Sequence, residues 1–253
     1  MIYLVPEFKN SIGDDTFWTW FAREFPSSFD PPEKVNPEDR VLQYAMLGPS
    51  PVRGGKKVAC LWELYPEMQA YGLADNPVKI QKMHQCFEQS DLKTTSSLAM
   101  LDYYPGATIL PIGVDTDLFC PKDKEEMRLK HRIPLDRKVG FWCGTDHPMK
   151  GYDRKIKYQA ENPDIFWITV FKDSQTPQST LAELMNCADF ALFTSRLRPY
   201  YMTEWECMAC NVPIIDISGL KRDFVPSETP RDDVMRLGWS REQTKKAWAE
   251  FLA

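Results

Sequence analysis

Short apolar runs alternate with segments of helical periodicity along the whole chain, which is the pattern of parallel strands joined by crossover helices. In the first half, strands are predicted at Ile2–Val5, Arg40–Ala45, Lys57–Trp62, Leu92–Thr95 and Ala107–Pro111, and helices at Asp14–Glu24, Val78–Gln89 and Ser96–Tyr103. Four prolines between Pro26 and Pro37 predict a loop there. The second half alternates more regularly. It reads as strand Lys138–Cys143, helix Tyr152–Ala160, strand Ile165–Phe171, helix Thr180–Cys187, strand Phe190–Thr194, helix Glu204–Cys210 and strand Pro213–Ile217. Each of these strands is a nearly continuous apolar run, as expected of a parallel sheet covered on both faces. Ser240 with Gln243 three residues on is a capping box that opens a last helix. The fold class is therefore α/β.

Composition narrows the function classes. With 253 residues, 43% of them hydrophobic and 26% charged, the chain can bury a substantial core. The net charge of −5 and the scattered placement of the 31 basic residues argue against a nucleic-acid backbone as principal partner. No apolar run approaches the roughly 20 residues that span a bilayer, and the apolar stretch at Met1–Pro6 is too short for a signal peptide. A cytoplasmic protein is expected. The seven cysteines form no disulfide framework. Cys207 and Cys210 have CxxC spacing, but no second pair or histidine cluster completes a zinc set, so no metal site is expected and the pair reads as helix core. His84 and His131 receive no role.

Ligands on open parallel sheets bind at the carboxyl ends of strands, which selects the loops after Cys143, Phe171 and Thr194. The first runs Gly144-Thr145-Asp146-His147-Pro148-Met149-Lys150-Gly151. Its glycines allow close approach of a ligand to the backbone, and Lys150 is placed to neutralise a phosphate; a Gly-rich turn with a solvated lysine fits the pattern equally. After Thr194 come Arg196 and Arg198, then Tyr201, Met202 and Thr203 leading into a helix, a plausible diphosphate site or an exposed basic loop. Glu206 suits a capping box with Thr203, which pattern alone favours, or a carboxylate that accepts the two hydroxyls of a ribose.

Three ordered stretches, LPIGVDTDLFCP at Leu110–Pro121, VGFWCGTDHPMKG at Val139–Gly151, and ADFALFTSR with TEWECMACNVPII between Ala188 and Ile215, resemble successive signatures of the GT-B retaining glycosyltransferases of the glycogen-synthase and sucrose-synthase type. The resemblance is close from Leu110 onward and covers earlier residues only by general layout. It implies two Rossmann-like domains. Residues 1–111 would form an N-terminal acceptor-side domain, 112–238 the nucleotide-sugar-binding domain, and 239–253 a C-terminal helix that crosses back to pack on the first. The activity implied is metal-independent transfer of a hexosyl or pentosyl group from a nucleotide sugar, with a UDP-sugar the expected donor, to an acceptor hydroxyl with retention. The nucleotide sugar is a co-substrate and no cofactor is implied. The acceptor, whether glycan, small molecule or modified DNA base, is left open, as is the oligomeric state.

By the same resemblance Lys150 contacts the donor diphosphate and Glu206 the ribose, Tyr201, Met202 and Thr203 offer amides, and Gly13, Gly144 and Thr145 line the donor. Two departures stand out. The family carries arginine where this chain has Thr145, and glutamate where it has Arg198. Arg198 or Arg196 is the expected replacement for the lost cation, and Lys150 with Arg198 the expected stabilisers of the leaving group. Glu63, directly after a strand, is a candidate catalytic residue of the first domain; Asp14, Asp15 and His147 are weaker ones. Two rivals follow: a catalytically degenerate nucleotide-sugar-binding protein, and, from the brevity of the chain, an enzyme like those of viruses that glycosylate modified bases in DNA.

Overall fold

Parallel pairing throughout, as the apolar runs require, is what the computed structural model contains; it describes residues 1–5, 12–45, 48–61, 77–171, 174–197, 202–220, 224 and 227–253. The chain divides into two compact units, the first made of Met1–Ile112 with Thr244–Ala253 and the second of Gly113–Gln243.

In the first unit β1 (Ile2–Val5), β2 (Ser27–Ser28), β3 (Arg40–Tyr44), β4 (Lys56–Leu61), β5 (Leu92–Thr95) and β6 (Thr108–Ile109) lie in the order β2-β1-β3-β4-β5-β6. Helix α1 (Ile12–Glu24) carries Phe17, Trp18, Trp20 and Phe21, all buried. Such rings are the largest apolar payload a helix can bring to a sheet. They meet Trp248 of the chain's last helix: its ring lies 5.7 Å from Phe17 and 5.3 Å from Phe21 and is fully buried. Helix α2 (Pro77–Gln89) packs Met83 and Cys86 with Ala59, Leu61, Met100 and Tyr104 in a separate cluster.

In the second unit β7 (Val139–Gly144), β8 (Phe166–Phe171), β9 (Phe190–Phe193) and β10 (Ile214–Asp216) are parallel in the order β10-β9-β7-β8. Helices α3 (Lys124–His131), α4 (Tyr152–Glu161), α5 (Gln178–Asn186), α6 (Met202–Ala209) and α7 (Pro230–Arg236) belong to this unit, and α8 (Arg241–Leu252) begins in it. The chain leaves β7 for β8 on one side and returns to β9 on the other. The carboxyl ends of β7 and β9 thus flank a topological switch point, the place where open α/β sheets form a ligand crevice.

Three expectations change. Ser96–Tyr103 contains only a 3-10 turn, Leu98–Met100, because Pro105 and Gly106 follow and Tyr103 and Tyr104 donate back to the Met100 carbonyl. Within the proline-rich loop, Ser27–Ser28 pair with Ile2 and Tyr3 as a two-residue strand. Gly13 falls within the first turn of α1 instead of preceding it, and Asp14 and Asp15 follow it in that helix.

Ser240 caps the last helix, and its contact with Gln243 runs side chain to side chain rather than back to the Ser240 amide. Gln243 donates its backbone N–H to Ser240 Oγ at 3.3 Å, and Ser240 Oγ donates to Gln243 Oε1 at 2.8 Å. No helix among the described residues is long and apolar enough to cross a membrane.

Candidate functional site

At the switch point the turn after β7 is built to come close to the end of β9. A single 3-10 turn, Pro148–Lys150, is started by His147, whose Nδ1 accepts the Met149 N–H at 3.2 Å. It ends at Gly151 with φ +66°, a left-handed conformation natural to glycine. A Cβ at that position would collide with the Thr194 carbonyl oxygen, so glycine is required by space as well.

The loop after β9 then closes on this turn. Thr194 Oγ1 donates to the Lys150 carbonyl at 2.7 Å and accepts the Trp142 indole N–H at 3.0 Å. Ser195 Oγ and the Arg196 amide both donate to the Met149 carbonyl, at 3.0 and 2.8 Å. Arg154 Nη1 of α4 donates to the carbonyls of Thr194 and Ser218, tying in the loop after β10. Trp142, Tyr152 and Phe171 form an aromatic cluster beneath, with centroids 5.2 to 5.8 Å apart.

Cys143 lies at the end of β7 and feels several of the candidate residues. Its thiol is pushed up to about 12 by burial and by the neighbouring Glu206 carboxylate, against the pull of a hydrogen bond with the Thr203 side chain and the nearby Lys150 ammonium. Thr203 thus reaches the sulfur directly, while Lys150 and Glu206 act on it through their charges. Lys150 is partly buried and Glu206 buried.

Helix α6 starts at Met202, which places Thr203 inside the helix and its hydroxyl against Cys143. The capping-box reading of Thr203 with Glu206 is accordingly not realised. Burial raises the Glu206 carboxyl from 4.5 to about 7, and Arg241 pulls the other way. Among the described residues no hydrogen-bond donor meets this carboxylate. A carboxyl raised by burial rather than held by a hydrogen-bond donor is a candidate functional group. The first-turn amides of α6 likewise lack intrahelical acceptors.

Arg196 is placed differently from expectation. It forms a bidentate pair with Asp153, at 2.8 and 2.6 Å, and Nη1 also donates to the Pro148 carbonyl at 2.6 Å. Arg196 holds the Asp153 carboxyl down at about 2. Arg196 thus braces the turn that carries Lys150. Thr145 is partly buried beside Gly144, where a Cβ would meet the Trp142 ring at 2.9 Å. Glu63, Arg198 and Tyr201 lie outside the described residues. Cys207 and Cys210 are packed in the core, with burial pushing the first thiol well above and the second up to about 12. No group of His, Cys, Asp or Glu among the described residues is arranged to hold a metal ion.

No family model and no curated protein matches the sequence. Solved structures do match the fold. The Alr3699/HepE protein of Anabaena, in complex with UDP-glucose, superposes with a TM-score of 0.60 at 11% identity over 99% of this chain and 93% of that one. Sucrose-phosphate synthase from Thermosynechococcus elongatus gives 0.58 at 14% identity over 84% and 68%. WaaG, described as a glycosyltransferase involved in lipopolysaccharide biosynthesis, gives 0.57 at 13% identity over 100% and 90%. The fold is that of the GT-B glycosyltransferases. Within this GT-B chain, four contributors were missed by sequence reasoning: Cys143, Thr194, Asp153 and Arg241. The last donates to Asp115 at 2.6 Å while its charge acts on Glu206. All four act through neighbours distant in sequence, so no local pattern announces them.

Proposed function

We propose that the protein is a glycosyltransferase that takes a sugar from a UDP-sugar and transfers it to an acceptor hydroxyl with retention at the anomeric carbon. The observation that carries this reading is Glu206, a buried carboxylate that meets no hydrogen-bond donor among the described residues, on the helix that follows β9 at the switch point of a GT-B fold whose other flanking turn carries Lys150. A ribose diol supplies the two hydroxyls that such a carboxylate needs, and the diphosphate then falls toward Lys150. The UDP-glucose complex of the Anabaena protein supports a nucleotide sugar as the ligand class.

In the proposed reaction the bond between the anomeric carbon and the diphosphate oxygen breaks, and the acceptor oxygen forms its bond on the same face. The acceptor proton passes to the departing diphosphate. Lys150 and the α6 amides stabilise the developing charge there, an electrostatic role that requires rigid placement. Incubation with a panel of nucleotide sugars, followed by detection of released nucleotide and of the anomer formed, tests the proposal. Release of UDP with an α-linked product from an α-linked donor is expected. No binding or turnover of any donor at high protein concentration would refute it.

One observation favours a second reading, a nucleotide-sugar-binding protein without chemistry. Thr145 stands where the resembled family has arginine, and Arg196 is committed to Asp153. Calorimetric titration with UDP and an intact UDP-sugar, alongside turnover, distinguishes binding alone from catalysis.

A further inference from the structure

The residue that joins the two site loops is Thr194. It is 2% exposed, and its single hydroxyl both accepts from the Trp142 indole and donates to the Lys150 carbonyl. Its only hydrogen and one of its lone pairs are thereby engaged, which fixes the direction of the hydroxyl. The contacts from Ser195 and Arg196 to Met149, and from Arg196 to Pro148 and Asp153, secure the neighbouring residues of the same turn. The segment Thr194–Arg196 therefore reads the backbone of Pro148, Met149 and Lys150 in succession. The Gly151 backbone stands so close to Thr194 that the turn has little room to shift.

We propose that Thr194 is a positioning residue for the donor diphosphate: its hydroxyl latches the turn that carries Lys150 and so fixes where the ammonium stands. The inference rests on the nucleotide-sugar reading for its ligand, and on the hydrogen-bond geometry alone for the latch. Rigid placement of a cation is what an electrostatic site needs, since a loosened lysine loses much of its advantage over solvent.

The test compares wild type with Thr194→Val, which keeps the shape and removes the hydroxyl, and Thr194→Ser, which keeps the hydroxyl. Titration with UDP should show about a tenfold loss of affinity for Thr194→Val, while Thr194→Ser stays within about twofold. In a Lys150→Ala background Thr194→Val should cost nothing further, because the latch acts only through that lysine. Equal losses in both backgrounds, or a serine variant as weak as the valine one, would overturn the proposal.

A ligand-free measurement separates the latch from the choice of ligand. Trypsin cuts after Lys150, and its rate reports how often the turn opens; about a fivefold faster cut is expected for Thr194→Val and no change for Thr194→Ser. If Thr194→Val does not fold, Thr194→Ala removes the same hydroxyl with less bulk and should speed the same cut. An unchanged cut in the folded variants overturns the latch. Should wild type bind no UDP, the nucleotide-sugar reading falls, and the cleavage rates alone decide the latch.

Discussion

Replacing Glu206 with glutamine removes one ionisable group from the interior of the second unit and should erase a defined part of the protein's pH dependence. The carboxyl is buried, has no hydrogen-bond donor among the described residues, and stands at about 7 in place of 4.5. A raised carboxyl favours the protonated form in the folded state, so its stabilising contribution is complete below pH 4.5 and is lost as pH rises through about 7. At about 1.4 kcal/mol per pH unit, the ionised group costs the folded state about 3 kcal/mol at pH 8 relative to pH 4. Glutamine has nearly the same shape and no charge to bury. Urea unfolding of wild type and Glu206→Gln across pH 4.5 to 8 should show the variant gaining on wild type by about that amount. A stability difference that stays constant across this range would show that Glu206 does not titrate in the interior, and the argument for an unpaired buried carboxyl would fail with it.

The same group should govern ligand binding. If the ionised carboxylate accepts a ribose diol, UDP affinity rises more between pH 6 and 8 in wild type than in Glu206→Gln, a difference that titration calorimetry of both proteins at the two pH values can follow. Gly151→Ala combines a strained φ with a clash against the Thr194 carbonyl and should cost about 2 kcal/mol or more in chemical unfolding, well beyond an ordinary surface substitution. Trp248→Ala should lower stability by about 3 to 5 kcal/mol, because a fully buried ring leaves a cavity beside Phe17 and Phe21. Asp153→Ala, by contrast, breaks a pair that is largely solvent-exposed on its acidic side; a stability loss under about 1 kcal/mol by thermal unfolding is expected, together with faster trypsin cleavage after Lys150.

The strands of the second unit were legible because a nearly continuous apolar run has few other uses; β7 to β10 lie within a residue or two of their predicted limits. Helices without an apolar stripe were not. Lys124–His131 places Met127 in the core, but it is anchored by Arg128, which reaches the Cys187 carbonyl and Asp189 from far along the chain. Pro230–Arg236 is likewise set by contacts of buried Asp233 with Ser227 and Arg236. At the site, residue type suggested a phosphate cation at Lys150, at Arg196 and at Arg198 alike. Only the strand order and the position of Asp153 distinguish the arginine that braces the turn from the lysine beside Cys143. The choice between cap and ligand at Glu206 turned on where α6 begins, which sequence patterns place no better than a residue or two.

The division of the chain has a consequence for how the protein is made. The second unit is one unbroken stretch, Gly113–Gln243, whereas the first needs both Met1–Ile112 and the final Thr244–Ala253. On a ribosome Phe17 and Phe21 therefore emerge before the second unit and Trp248 only after it, so these rings stay uncovered by Trp248 while Gly113–Gln243 is made. The contiguous second unit can therefore mature before the first is complete.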